Sequence, residues 1–277
     1  MTRKYTRKQV TERLRAQIEK GRPLLMFGAG IGLTAKCAEQ GGADLIGIYS
    51  TGKLRMMGLP SLMAWLPYGD ANHHLLEMAH DMLPIVKDTP CIAGIGAHDP
   101  LLDVGALLDK VMEMGFAGIT NEPFVGLYGS WFAEQLEAAG IGFSREVDLI
   151  AAAHARDIFT VAWVFTPEEA RAMAKAGADV IGAMIGVTVG GMSGASQSMG
   201  LEEATRQVKS ILEAAREVNP GVIVLTHGGP FKDVETAEYS IIHSGADGYA
   251  AGSSGERLPT ESSVVALTKK YKEMRLR

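Results

Sequence analysis

Three times this chain uses the same joint: Gly42-Ala43-Asp44, Gly177-Ala178-Asp179 and Gly245-Ala246-Asp247. Each closes a helical stretch and opens an apolar run. The glycine suits the left-handed residue that ends a helix, and the small residue packs against the next strand. Gly115-Phe116-Ala117-Gly118 is a looser copy. Repeated helix-to-strand joints imply strand–helix–strand units with parallel pairing and right-handed crossovers. Eight short apolar runs carry the pattern, at 24–27, 44–49, 91–95, 118–121, 159–165, 179–185, 222–226 and 248–251. None alternates clearly, as expected of strands buried on both faces. Eight such strands favour closure over an open sheet. The expected fold is α/β, a single (β/α)8 TIM barrel over 1–277, and a length of 277 residues matches the roughly 250 such a barrel needs.

An extra helix should precede the first strand. Thr6-Arg7-Lys8-Gln9 reads as a capping box, Val10, Leu14 and Ile18 share one helical face, and Gly21 stops the turn. Helices are also expected over 101–114 and 201–218, and as two pieces, 129–139 and 144–156, before the fifth strand. Residues 50–71 read as one long loop rich in Met, Leu and Trp, whose part 54–68 suits a homo-oligomer interface.

A 47% hydrophobic, 21% charged chain is neither disordered nor fibrous. Its net charge of −5 argues against nucleic acid as a partner. The one basic run, Arg3, Lys4, Arg7 and Lys8, reads as a solvated helix face. Cys37 and Cys91 build neither a disulfide framework nor a zinc pattern. With no signal peptide and no apolar run of spanning length, a cytoplasmic protein without a membrane partner is expected.

Barrel chemistry sits where strands end. The first strand ends in Gly28-Ala29-Gly30-Ile31-Gly32. This spacing is not that of a dinucleotide loop and no acidic ribose partner ends the second strand, so no nucleotide cofactor is expected; Gly28 and Gly30 give backbone room near a ligand or in a tight turn. The third and fourth strands end in Gly96-Ala97-His98-Asp99-Pro100 and Thr120-Asn121-Glu122-Pro123. Asp99 and Glu122 are the candidate holders of a divalent cation, with Asn121 beside them. Asp99 suits equally the cap of a helix starting near Leu101. His98 and His227 are the candidate acid–base groups. Gly228 and Gly229, opposite Ser253 and Ser254, are the candidate phosphate cradle. The Gly/Ser segment 186–196 reads as a mobile cover over the mouth.

The runs Phe27-Gly28-Ala29-Gly30-Ile31-Gly32, Gly94-Ile95-Gly96-Ala97-His98-Asp99-Pro100, Gly118-Ile119-Thr120-Asn121-Glu122-Pro123 and Leu225-Thr226-His227-Gly228-Gly229-Pro230 together resemble the phosphoenolpyruvate hydrolase-like TIM-barrel family. That family is related to the phosphoenolpyruvate mutase and isocitrate lyase superfamily. The resemblance implies a hydrolase or lyase acting on a small anionic 2-oxo acid or phosphorylated carboxylate through an enolate-like state. It also implies Mg²⁺ near Asp99 and Glu122. Ala97 stands where the superfamily has the first acid of an Asp-x-Asp, and Phe124-Val125-Gly126-Leu127-Tyr128 stands in place of its Lys–Cys loop. Those departures favour the rival reading, a non-catalytic barrel that binds a small ligand and works through protein contacts.

Overall fold

In the computed structural model, which describes residues 4–276, each repeated joint ends in a carboxylate that binds the start of the preceding strand. Asp44 accepts from the Leu25 N–H (2.8 Å), Asp179 from Thr160 N–H (3.0 Å) and Asp247 from Val224 N–H (2.8 Å). The strands so aligned are β1 (Leu24–Ala29), β2 (Leu45–Ile48), β3 (Cys91–Gly94), β4 (Gly118–Thr120), β5 (Phe159–Val164), β6 (Val180–Met184), β7 (Ile223–His227) and β8 (Gly248–Ala251). All pair in parallel with their sequence neighbours, and β8 returns to β1, closing the barrel.

Alternate residues of each strand face opposite ways. Met26, Leu45, Ile92, Phe159, Val161, Val180, Ile223 and Leu225 fill the interior. Ile46, Ala93, Ile119, Ala162, Ile181 and Val224 pack outward against the helices. With both faces buried, neither parity needs a polar residue, so the alternation is silent in the sequence.

The expected first helix is α1 (Arg7–Glu19), with the Thr6–Gln9 capping box formed. Its buried Val10 and Leu14 join the interior cluster and plug the bottom of the barrel. The basic run is not simply solvated: Arg7 reaches Asp179 (2.9 Å), while Lys8 stays exposed and Arg3 lies outside the described residues.

After β1 comes α2 (Gly32–Gln40). The expected loop 50–71 instead contains α3 (Ser50–Met56) and a short 3-10 turn, Ser61–Trp65, before α4 (Ala71–Met82). The helix expected from Leu101 begins later, as α5 (Val104–Met114), because Asp103 caps it through Ala106 N–H (2.9 Å). A second 3-10 turn, Val125–Tyr128, precedes the two expected pieces, α6 (Ser130–Ala138) and α7 (Phe143–Ala155). Then follow α8 (Pro167–Lys175), α9 (Leu201–Val218), α10 (Val234–Ser244) and α11 (Arg257–Lys272). No helix among the described residues is long and apolar enough to cross a membrane.

Candidate active site at the barrel mouth

Extending the inward parity of the strands by one or two residues names the top layer. Tyr49 follows β2, Glu122 follows β4, Trp163 and Met184 close β5 and β6, His227 ends β7, and Gly252 follows β8. All six line one cavity of about 40 Å³, together with Thr51, Arg55, Ser253 and the Gly186–Thr188 backbone. Trp65, Phe124 and Leu127 roof it; Trp65 donates to the Phe124 carbonyl (2.6 Å), and Tyr128 bonds the Trp65 carbonyl.

Glu122 is buried and accepts from the Thr51 hydroxyl (2.6 Å). Loss of water pushes its carboxyl up to about 7, against the opposing pull of Thr51 and Arg55. His227 Nδ1 lies 2.6 Å from the Ala250 carbonyl, which can only accept. Nδ1 therefore carries the ring proton and Nε2 holds the lone pair. Desolvation lowers this imidazole to about 4, so it is neutral at physiological pH. Its ring sits 5.1 Å from that of Trp163.

The cavity's fixed cation is Arg55, in α3. Its Nε and Nη2 bond Glu256 Oε2 (2.9 and 2.7 Å), and Nη2 also bonds the Gly28 carbonyl (2.8 Å). The other oxygen of Glu256 accepts from Gly30 N–H (2.7 Å) and the Thr34 hydroxyl. A methyl built on Gly252 would lie 3.6 Å from Arg55 Nη1 and 3.2 Å from His227 Cε1, so both groups face the space above that glycine.

The structure brings Glu122, His227 and Ser253 to this cavity, but not His98 or Asp99. Asp99 accepts from Leu101 N–H (2.8 Å), a turn rather than a helix cap, and Arg145 binds the Ala97 and Asp99 carbonyls (2.8 Å each). His98 packs near Gly96 with its buried Nδ1 unpartnered, and desolvation lowers its pKa. Asn121 is buried; its Oδ1 accepts from the Trp163 N–H (2.7 Å), and its amide donates to the Trp163 carbonyl (3.1 Å) and to the buried Glu146. The room at Gly28 and Gly30 is filled by Tyr49 and by the Gly52 backbone of α3. Gly229 N–H is spent on the Gly186 carbonyl (3.0 Å), and the Ser254 hydroxyl on Tyr249 (2.6 Å). Segment 186–196 is tied to α11: Arg257 binds the Gly190 carbonyl and Glu261 the Met192 N–H, both at 3.0 Å.

Sequence reasoning missed Thr51, Arg55 and Glu256. The polar stretch Ser50-Thr51-Gly52-Lys53-Leu54-Arg55, directly after the second strand, was the available signal.

The family model for phosphoenolpyruvate hydrolase-like proteins matches residues 9–274. The chain belongs to the phosphoenolpyruvate hydrolase-like family. It is 42% identical over 266 residues to the tomato (Solanum lycopersicum) ToMV susceptible protein tm-1(GCR26), covering 96% of this chain and 35% of that protein. The chain thus spans about a third of that curated relative. Among solved structures, phosphonopyruvate hydrolase in complex with oxalate and Mg²⁺ superposes with a TM-score of 0.62 at 19% identity, covering 99% of this chain and 88% of the other. A 2,3-dimethylmalate lyase, a phosphoenolpyruvate mutase/isocitrate lyase superfamily member, gives 0.57 at 19%, covering 95% and 87%. At such identities the likeness is one of fold.

Among the described residues no group of three or more His, Cys, Asp or Glu is placed to hold a metal ion. Asp99 is outside the cavity, both Glu256 oxygens are engaged, and one Glu122 oxygen is taken by Thr51.

Proposed function

We propose that the chain is an enzyme of the hydrolase or lyase type acting on a small anionic 2-oxo acid or phosphorylated carboxylate, such as phosphoenolpyruvate. It cleaves a P–O, P–C or C–C bond through an enolate-like state. One observation carries this reading: a carboxyl raised to about 7 and an imidazole lowered to about 4 share one cavity with a buried guanidinium. Opposed shifts of this kind suit a proton donor and a proton acceptor working at the same pH. In a hydrolase His227 Nε2 takes a proton from the water that attacks phosphorus or the carbonyl carbon, and in a lyase from the substrate hydroxyl that becomes the carbonyl; Glu122 gives its proton to the carbon of the departing enolate, and Arg55 faces the negative charge on the enolate oxygen. Ser253 contributes a polar contact to the anion. His98 and Asp99 lie outside this cavity, on a loop whose carbonyls Arg145 holds, and no step is assigned to them.

Phosphoenolpyruvate, phosphonopyruvate and oxaloacetate, assayed for pyruvate, phosphate and oxalate release, test the proposal. Glu122→Gln and His227→Asn should each abolish turnover while leaving the fold intact. Wild-type rates in both variants would remove it.

The second reading, a non-catalytic binding module, is favoured by the roof of Trp65, Phe124 and Leu127 over the cavity. It expects ligand stabilisation without turnover. We include homo-oligomer formation in the proposal, because Val264, Val265, Leu267 and Tyr271 on α11 are exposed apolar groups that a second copy can cover. Sedimentation velocity tests this, and a monomer at every concentration would refute it.

A further inference from the structure

We propose that this cavity binds its small carboxylate ligand without a divalent cation, the Nη1 edge of Arg55 supplying the positive charge directly. The inference rests on the anionic-substrate reading above and concerns how that anion is held.

Mg²⁺ requires near-octahedral oxygen coordination and is usually held by carboxylates, retained waters and the substrate. The cavity offers one carboxylate oxygen not already engaged, on Glu122, because Thr51 takes the other. Glu256 cannot help: Gly30, Thr34 and Arg55 together occupy both of its oxygens. A dication would also enter the space faced by the guanidinium, and two cations in a desolvated site repel strongly. Ala97, on the loop after β3, packs outward with Ile95 and Ala93 and brings no donor to the cavity.

The Arg55 clamp is fixed on three sides. Nε and Nη2 are committed to Glu256 and the Gly28 carbonyl, which leaves the guanidinium little rotamer freedom. Nη1 lies toward Gly252, next to the His227 ring, where a glycine leaves room that a methyl would fill, while the buried Tyr49 hydroxyl beside Gly28 also hydrogen-bonds the guanidinium. A planar guanidinium edge suits a carboxylate oxygen, and a pre-oriented one loses little entropy on binding. About 40 Å³ amounts to ~3 water positions, so oxalate, the smallest dicarboxylate, is a suitable probe of the site.

The test uses oxalate as the probe on the full chain, titrated calorimetrically after chelator treatment and again with added Mg²⁺. Equal affinity in the two conditions is expected. Gly252→Ala sets a methyl in van der Waals contact with Nη1 (3.6 Å) and against the His227 ring (3.2 Å), leaves the Nε and Nη2 bonds to Glu256 in place, and meets no positive φ at Gly252. It should weaken oxalate by about tenfold or more, the worth of one charge-assisted hydrogen bond, at an unchanged Tm of the free protein. Binding that appears only with Mg²⁺ overturns this inference and leaves the anionic-substrate reading standing. Unchanged affinity in Gly252→Ala overturns the role of the Nη1 edge. Absence of binding by oxalate and by pyruvate in both conditions overturns the anionic-substrate reading, and this inference with it.

Discussion

Arg55 Nη2 lies 2.7 Å from Glu256 Oε2, and this contact joins the helix after β2 to the residue that opens the helix after β8. Both side chains are essentially inaccessible to water, at 3% and 0%. A buried pair of this kind earns its place through geometry more than through net stability, since desolvation offsets most of the attraction. Its position beneath the cavity gives the mouth a charge whose location does not drift.

Removing one partner should be costly. Arg55→Met strands Glu256 with only Gly30 and Thr34 as donors, and should destabilise the protein by about 3–5 kcal/mol in urea denaturation. Arg55→Met combined with Glu256→Leu should recover a substantial part of that loss. A double variant no more stable than the single one contradicts the account.

The pH dependence of kcat/KM should be bell-shaped. His227 must be neutral to accept a proton, so the rate rises through about 4; Glu122 must be protonated to donate, so it falls through about 7. The two limbs belong to the pair as a whole if the groups interact. A profile flat from pH 5 to 9 counts against these roles.

Stability should fall between pH 6.5 and 8. Burial raises Glu122 to about 7 and Glu146 to about 8, so above about pH 4.5 the folded chain holds protons that an unfolded chain has released, nearly two of them near pH 6 and fewer as each group passes its folded value. Each contributes a slope of up to about 1.4 kcal/mol per pH unit, lost as pH rises through its folded value. His227 acts oppositely, but only between about 4 and 6.5, where the unfolded ring binds a proton that the folded ring refuses. Thermal melts across this range check the sign; a Tm that rises from pH 6.5 to 8 refutes it.

Asp179→Ala should cost about 2–3 kcal/mol, because it releases the Thr160 N–H and the Arg7 guanidinium together. Hydrogen exchange at Thr160 should accelerate. Arg7→Ala should cost less, since it leaves the strand contact in place.

The fold was legible because its signal is repeated. Eight apolar runs and three Gly-Ala-Asp joints each mark a strand start, and the third member of every joint performs the same hydrogen-bonding task. The site was half legible. Glu122 and His227 stand out as polar residues directly after apolar strands, and strand parity carries them inward. His98 and Asp99 look alike in sequence, yet the chain turns outward after Gly96, where Asn72 binds both its N–H and its carbonyl (2.9 and 3.1 Å). Arg55 was hidden because α3 sits among Met and Leu residues that read as loop, and a cation's partner 201 positions away leaves no local mark.

The expected mobile cover is fastened at two points to one helix. Gly190 hangs from Arg257 and Met192 from Glu261, while Arg257 and Glu261 hold each other at 3.0 Å. Residues 186–188 at the root of the same segment form one wall of the cavity. Lifting the cover therefore means giving up the Val189–Gly229 contact and either breaking both fastenings or carrying the first two turns of α11 along. The C-terminal helix is in this sense a latch, and the exposed face that it shows to its surroundings is mechanically continuous with the door of the site.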